Sequence, residues 1–141
     1  MKRLDRPEER FPNWKYPTFD KRGRTEWGWT CQHPDKLKLG KYVDIGAFTY
    51  INAKYGVVIR DLAQVGSHTS IYSISTIDNK KGKVIIEKNA RIGSHSVVMP
   101  GVTIGENSVI GAFSYVNRDV PSDVIAYGIP ARVARKFEPG S

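Results

Sequence analysis

Aliphatic side chains recur every six residues, without a break, at Ile86, Ile92, Val98, Ile104, Ile110 and Val116. Four places after each stands a small or β-branched residue: Ala90, Ser96, Val102, Ser108, Ser114 and Val120. A fixed short period of this kind predicts a parallel β-helix, in which each hexad forms one flat side and three hexads form one turn of a triangular prism. The aliphatic residue points into the prism and the small one fits the tight corner.

Traced backwards, the register runs through Leu39, Ile45 and Ile51, then, after a two-residue slip around Tyr55 and Gly56, through Ile59, Val65, Ile71 and Ile77. The slip reads as a bulged corner. A spacing of nine between Ile77 and Ile86 leaves three extra residues protruding within 78–83, the only substantial loop of the coil. Stacking by threes gives columns of Leu39, Ile59, Ile77, Val98 and Val116, of Ile45, Val65, Ile86 and Ile104, and of Ile51, Ile71, Ile92 and Ile110. On this count His68 and His95 fall on different columns. Glycine often follows the aliphatic residue (Gly40, Gly46, Gly66, Gly93, Gly105, Gly111), and two places further on stand His68, Asn89, His95 and Asn107. These four are expected to turn corners, because Asn and His tolerate a left-handed backbone.

The repeat divides the chain into an N-terminal cap (1–37), an all-β coil of about four to five turns (38–121) and a short tail (122–141). The cap lacks the repeat and spaces Trp14, Tyr16, Phe19, Trp27 and Trp29 with prolines. Such aromatics either pack over the first turn or line a substrate pocket. With 141 residues, 40% of them hydrophobic, the chain makes one domain. So short a prism has open ends and exposed sheet faces, which predicts burial against other copies, most simply in a homotrimer with parallel axes.

Composition narrows the function. No apolar run approaches a membrane span, and the charged opening Met1–Asp5 is unlike a signal peptide, so a cytoplasmic protein without membrane insertion is expected. The single Cys31 excludes an intrachain disulfide framework and cannot alone make a thiolate metal site. A net charge of +8 calls for an anionic partner. The basic residues are spread over both termini and the 80–83 segment, with no nucleic-acid motif or basic recognition helix, and phosphate groups on a small ligand explain the charge equally well.

The stretch Ile92-Gly93-Ser94-His95 through Pro100-Gly101-Val102-Thr103-Ile104-Gly105, continuing to Gly111-Ala112-Phe113-Ser114 and Asn117-Arg118-Asp119-Val120-Pro121 and ending in Gly128-Ile129-Pro130-Ala131-Arg132, resembles the hexapeptide-repeat acyltransferases, especially the galactoside, maltose and sugar-nucleotide acetyltransferases. The resemblance implies a left-handed coil, a trimer, and acetyl-CoA as acyl donor in a groove between neighbouring prisms. It places Ser94, Gly111 and Ala112 along the pantetheine arm, Asn117 and Arg118 near the far end of the cofactor, and Arg132 and Arg135 among the terminal basic residues. A guanidinium suits that end because its planar fork holds phosphate oxygens at two points. The plainer reading is that these arginines are solvated charges.

Acyl transfer needs a base for the acceptor's proton and donors for the oxyanion. In the register of the sugar acetyltransferases the catalytic histidine falls on Thr76, so the expected base is absent. His68 is the first choice to replace it, His33 the second, and Asn52 is expected to orient the substrate; His95 is discounted. An amine acceptor with its own lone pair would need no protein base. A zinc site of the kind carbonic anhydrase relatives build on this coil lacks histidines at ligand spacing. The expected activity is O- or N-acetylation of a sugar or nucleotide-linked amino sugar feeding surface polysaccharide assembly; the alternative is a non-catalytic trimeric scaffold or binding protein.

Overall fold

The computed structural model describes residues 11–136; residues 1–10, with the charged opening of the cap, and 137–141 of the tail lie outside the described residues. Three sheets form the walls of a prism. The first stacks Thr30–Gln32, Tyr50–Asn52, Ser70–Tyr72, Val97–Val98 and Tyr115–Val116. The second stacks Leu37–Leu39, Val57–Ile59, Val84–Ile86 and Thr103–Ile104. The third stacks Asp44–Ile45, Gln64–Val65, Arg91–Ile92, Val109–Ile110 and Val124–Gly128, closed by the antiparallel strand Ala131–Lys136. The chain visits them in turn and winds a left-handed solenoid of about five turns. No helix among the described residues is long and apolar enough to cross a membrane.

Parallel pairing puts like residues over one another. Cys31, Ile51, Ile71, Val98 and Val116 make one inward column. Leu39, Ile59, Ile86 and Ile104 make the second, and Ile45, Val65, Ile92, Ile110 and Ala126 the third. All but the half-buried Leu39 are buried, and each aliphatic side chain so enclosed contributes about 1.5–3 kcal/mol. The small corner residues Ala90, Ser96, Val102, Ser108, Ser114 and Val120 are buried as the repeat requires. Their hydroxyls are paired: Ser114 Oγ donates to Gly111 O at 2.7 Å and Ser96 Oγ to the same carbonyl at 3.3 Å.

The columns correct the count taken from sequence. Ile77 is not an inward residue: it is 98% exposed, near the tip of a hairpin in which Ile74–Ser75 pairs with Lys80–Lys81. Its spacing from Ile71 matches the hexad by coincidence. The chain leaves the coil at Ser73, whose N–H donates to Asn52 O at 2.9 Å, and returns at Gly82, whose N–H donates to Ser73 O at 2.9 Å. Everything between is excursion, so the loop is much longer than three extra residues. Every column from that point moves on by one wall, and His68 and His95 share a column.

Where the chain departs from six is confined to one edge. Successive inward residues are six apart from second wall to third and from third wall to first, in every coil. From first wall to second the interval is eight for Cys31–Leu39 and for Ile51–Ile59, fifteen for Ile71–Ile86, six for Val98–Ile104 and four for Val116–Val120. Corners are turned in a left-handed conformation three places after the inward residue: Tyr42, Phe48, Leu62, His68, Asn89, His95, Asn107 and Phe113 have φ between 57° and 68°. The four corner residues expected from sequence are among them. The coil imposes the conformation on aromatic and leucine side chains as well.

Over the first turn, the Trp14 indole donates to Val43 O at 2.9 Å and Trp29 is buried edge-on to Phe19. The rings therefore pack on the coil. Between cap and coil lies an apolar cavity of about 400 Å3 lined by Phe11, Trp14, Trp27, Trp29, Leu39 and Val43 among others.

Candidate active site

The edge between the third and first walls is built from a three-residue unit repeated in four coils: Gly46-Ala47-Phe48, Gly66-Ser67-His68, Gly93-Ser94-His95 and Gly111-Ala112-Phe113. The glycine is forced by the next coil. A Cβ on Gly66 would lie 2.8 Å from Ser94 Cα, and one on Gly93 would lie 2.7 Å from Ala112 Cα. The middle residue is small, and its carbonyl accepts the N–H of the ring residue one coil on: His68 N to Ala47 O at 3.1 Å, His95 N to Ser67 O at 3.0 Å, Phe113 N to Ser94 O at 3.0 Å. Among the described residues, the N–H groups of Ser67, Ser94 and Ala112 make no such bond. They form a row of backbone donors along the prism.

Beside that row the rings stack. Phe48 and His68 have centroids 4.9 Å apart, His68 and His95 4.6 Å, and His95 and Phe113 4.9 Å, the last two pairs within 7° of parallel. The outer phenyls are 72% and 65% exposed. Floor and wall together make a strip that runs about 14 Å over three coil spacings. An extended chain carrying amide carbonyls can lie along it and accept from successive N–H groups, as an added strand does. Ser94, Gly111 and Ala112 are brought together here.

At the C-terminal end, Arg132 Nη1 donates to Asn117 Oδ1 at 3.4 Å and to Ala131 O at 2.7 Å, joining two of the residues expected to hold the far end of a cofactor. Arg118 follows Asn117 and is exposed; Arg135 is exposed on the closing strand opposite Ile125.

Asn52 sits on the outward face of the first wall. Its amide nitrogen donates to Gln32 Oε1 at 3.3 Å and to the Tyr50 hydroxyl at 3.4 Å, while its Oδ1 accepts Lys54 N at 3.1 Å. Tyr72 pairs in register with Asn52, and its ring lies 5.8 Å from that of Tyr50. Burial raises the Tyr50 hydroxyl above its ordinary pKa, an effect the Asn52 bond opposes. His68 lies at the other end of this wall, four residues along a strand and so about 13 Å from the Asn52 side. No contact joins His68 and Asn52 within one chain. His33 turns its corner at φ 60° directly after Gln32, on the Asn52 side, and Thr76 is exposed on the hairpin. Among the described residues no group of three or more His, Cys, Asp or Glu is placed to hold a metal ion.

Sequence reasoning missed Gln32, Tyr50 and Tyr72. Alternation was the signal available: residues flanking an inward Ile51 or Ile71 must point outward.

Comparison with known proteins gives one lineage. The bacterial transferase hexapeptide (six repeats) family model matches residues 83–118. Galactoside O-acetyltransferase of Lactococcus lactis is 39% identical over 113 residues, 70% of this chain and 55% of that protein. This chain therefore spans little more than half the length of that relative. A hexapeptide-repeat acetyltransferase of Vibrio cholerae, solved with acetyl-CoA, superposes with a TM-score of 0.74 at 29% identity, covering 78% of this chain and 65% of that one. A mutant of AntD, an N-acyltransferase from Bacillus cereus solved with dTDP and coenzyme A, gives a TM-score of 0.62 at 25% identity over 81% of this chain and 79% of that one. With its recurring hexads, prism fold and these likenesses, the chain belongs to the hexapeptide-repeat acyltransferase family.

Proposed function

We propose that the protein is a homotrimeric, cytoplasmic acetyltransferase that moves an acetyl group from acetyl-CoA to a hydroxyl or amine of a sugar, free or nucleotide-linked, for surface polysaccharide assembly. The observation that carries this reading is the row of unpaired N–H groups at Ser67, Ser94 and Ala112 beside the stacked rings. It offers the amide carbonyls of a pantetheine arm donors one coil apart. Arg132 and Asn117, with Arg118 and Arg135 beyond, offer cations and polar groups for the phosphates at the C-terminal end.

In the reaction the acceptor oxygen or nitrogen attacks the thioester carbonyl, the carbon–sulfur bond breaks, and the acceptor's proton leaves to a base as CoA departs. His68 is the base assigned to a hydroxyl acceptor, and the Asn52 amide the group that orients the acceptor. Since one prism holds them about 13 Å apart, a site that uses both takes them from neighbouring copies across the groove. Thr76 in place of a histidine supports an amine acceptor, whose lone pair attacks without prior deprotonation. The N-acyltransferase likeness favours the same acceptor chemistry.

Calorimetric titration of acetyl-CoA into wild-type protein and an Arg118→Ala, Arg132→Ala variant tests the proposal, with light scattering for the trimer. Micromolar binding to wild type, weakened at least about 10-fold in the variant, is the expected result. A trimer that binds no acetyl-CoA would make the protein a scaffold.

A further inference from the structure

On the edge between first and second walls the long excursion and the bulged corner meet. Tyr55 N donates to Ser73 Oγ at 3.0 Å, Ser73 Oγ donates to Asn52 O at 2.7 Å, Gly82 N donates to Ser73 O at 2.9 Å and Val84 N donates to Gly56 O at 3.1 Å. The buried Ser73 thus ties the hairpin's return strand against Tyr55 and Gly56. Three lysines are gathered by this knot. Lys54 Nζ stands 5.8 Å and Lys81 Nζ 5.3 Å from the centroid of the Tyr55 ring, and the Lys83 side chain passes Gly56 in van der Waals contact with the place a Cβ would take.

Lys80, their neighbour, is matched by Asp78 at 3.6 Å. Among the described residues Lys54, Lys81 and Lys83 have no carboxylate within ion-pair distance. Lys54 and Lys81 at one half-exposed ring, with Lys83 beside the adjacent Gly56 and no counter-charge among the described residues, lower the potential energy of an anion placed near them. Asn52, whose Oδ1 accepts the Lys54 N–H, connects this edge to the outward row of Tyr50 and Tyr72.

We propose that Lys54 and Lys81, at the Tyr55 ring, and Lys83, beside Gly56, form the site for the phosphate groups of the acceptor, so that the acceptor is a phosphorylated sugar or a nucleoside diphosphate sugar and not a neutral glycoside. This rests on the acetyltransferase reading. The sugar lies over Tyr50, Asn52 and Tyr72, and its phosphates reach the lysines on the edge opposite the stacked rings. The CoA phosphates are held separately, at the C-terminal coil.

The test is titration of dTDP, inorganic pyrophosphate and thymidine into the protein saturated with acetyl-CoA, which blocks the cofactor's own phosphate sites. Wild type, Lys54→Ala/Lys81→Ala and Lys54→Arg/Lys81→Arg are compared, with circular dichroism as the check on folding. Expected are binding of dTDP and pyrophosphate but not thymidine, a loss of at least about 10-fold in the alanine variant, and recovery in the arginine variant. Pyrophosphate binding as tightly as dTDP would make the site one for phosphate alone; tighter dTDP would add the nucleoside to it. Thymidine binding as well as dTDP, dTDP affinity unmoved in the alanine variant, or no binding of either phosphate would overturn the proposal. Acetyl-CoA affinity, measured on the same variants, should stay within about 2-fold of wild type. If wild type binds no acetyl-CoA, the acetyltransferase reading fails, and titrating dTDP alone still decides the lysine site.

Discussion

The imidazoles of His68 and His95 lie face to face, 4.6 Å between centroids and 7° from parallel, one coil apart on the same edge. Each is also covered on its other face by a phenyl ring. His95, which sequence reasoning set aside, packs against the His68 ring and forms part of the ring stack beside Ser94. Replacing it by Ala removes two ring contacts, each worth about 0.5–1.5 kcal/mol, and should weaken acetyl-CoA binding by about 2- to 10-fold. His95→Phe should restore it, as read by calorimetry; equal affinities for all three proteins would remove the ring wall from the cofactor site.

Gly93 should be intolerant of a side chain. In Gly93→Ala the new carbon meets Ala112 backbone at 2.7 Å, which neither coil can relieve without breaking register, and a loss of about 2–4 kcal/mol is expected in urea denaturation. Gly101 gives the comparison. Its φ is +81° but nothing lies within 4 Å of a Cβ there, so Gly101→Ala should cost only about 1 kcal/mol. Similar losses at both positions would mean that contact with the next coil is not what excludes a side chain at Gly93, whose backbone is not left-handed.

Ser73→Ala should cost about 1–3 kcal/mol, because it leaves Tyr55 N–H unpaired at a part-buried corner and removes the donor to Asn52 O. Loosening that corner should also weaken nucleoside diphosphate binding while sparing acetyl-CoA binding. The pair of titrations on one variant checks both statements.

Cys31, inward in the first coil, has its thiol pushed up to about 12 by burial first and by Asp35 second. The folded state therefore keeps a proton that the unfolded chain releases from about pH 9 upward. This contribution to stability is complete below pH 9 and is lost as pH rises towards 12. Thermal melts should fall over that window, and Cys31→Ser, with a hydroxyl that does not titrate there, should flatten the fall. In the native protein at neutral pH, thiol reagents should label Cys31 only as fast as it unfolds.

The coil and its inward residues were legible because a hexad is a local constraint: each Ile or Val meets its like one turn away, so sequence spacing and spatial stacking coincide. The coincidence fails where the chain leaves the wall. Ile77 stands six after Ile71 and carries the right side chain, yet it is exposed, because what fixes the exit is a buried serine hydroxyl bonded to a corner twenty-one residues earlier. From there the columns moved by one wall, and with them the neighbours of His68. The stacking of Ser94 and Ala112 on adjacent coils was unaffected, since both lie after the exit and on the same side of the prism. The lysine edge was not legible, because Lys54 and Lys81 meet only through the excursion's return.

All changes of interval fall on the edge between first and second walls, from four residues to fifteen, while the two other edges hold six throughout. A residue inserted at the stacked-ring edge would bulge a corner that carries a donor and a ring, whereas one inserted at the lysine edge lengthens a loop. On the proposed function, the prism would thus separate what must stay constant for the donor from what is free to diversify for each acceptor. New acceptor specificities, evolved or grafted, are expected to arrive as lengths and sequences of the segments 53–56 and 74–83, on a coil that need not change.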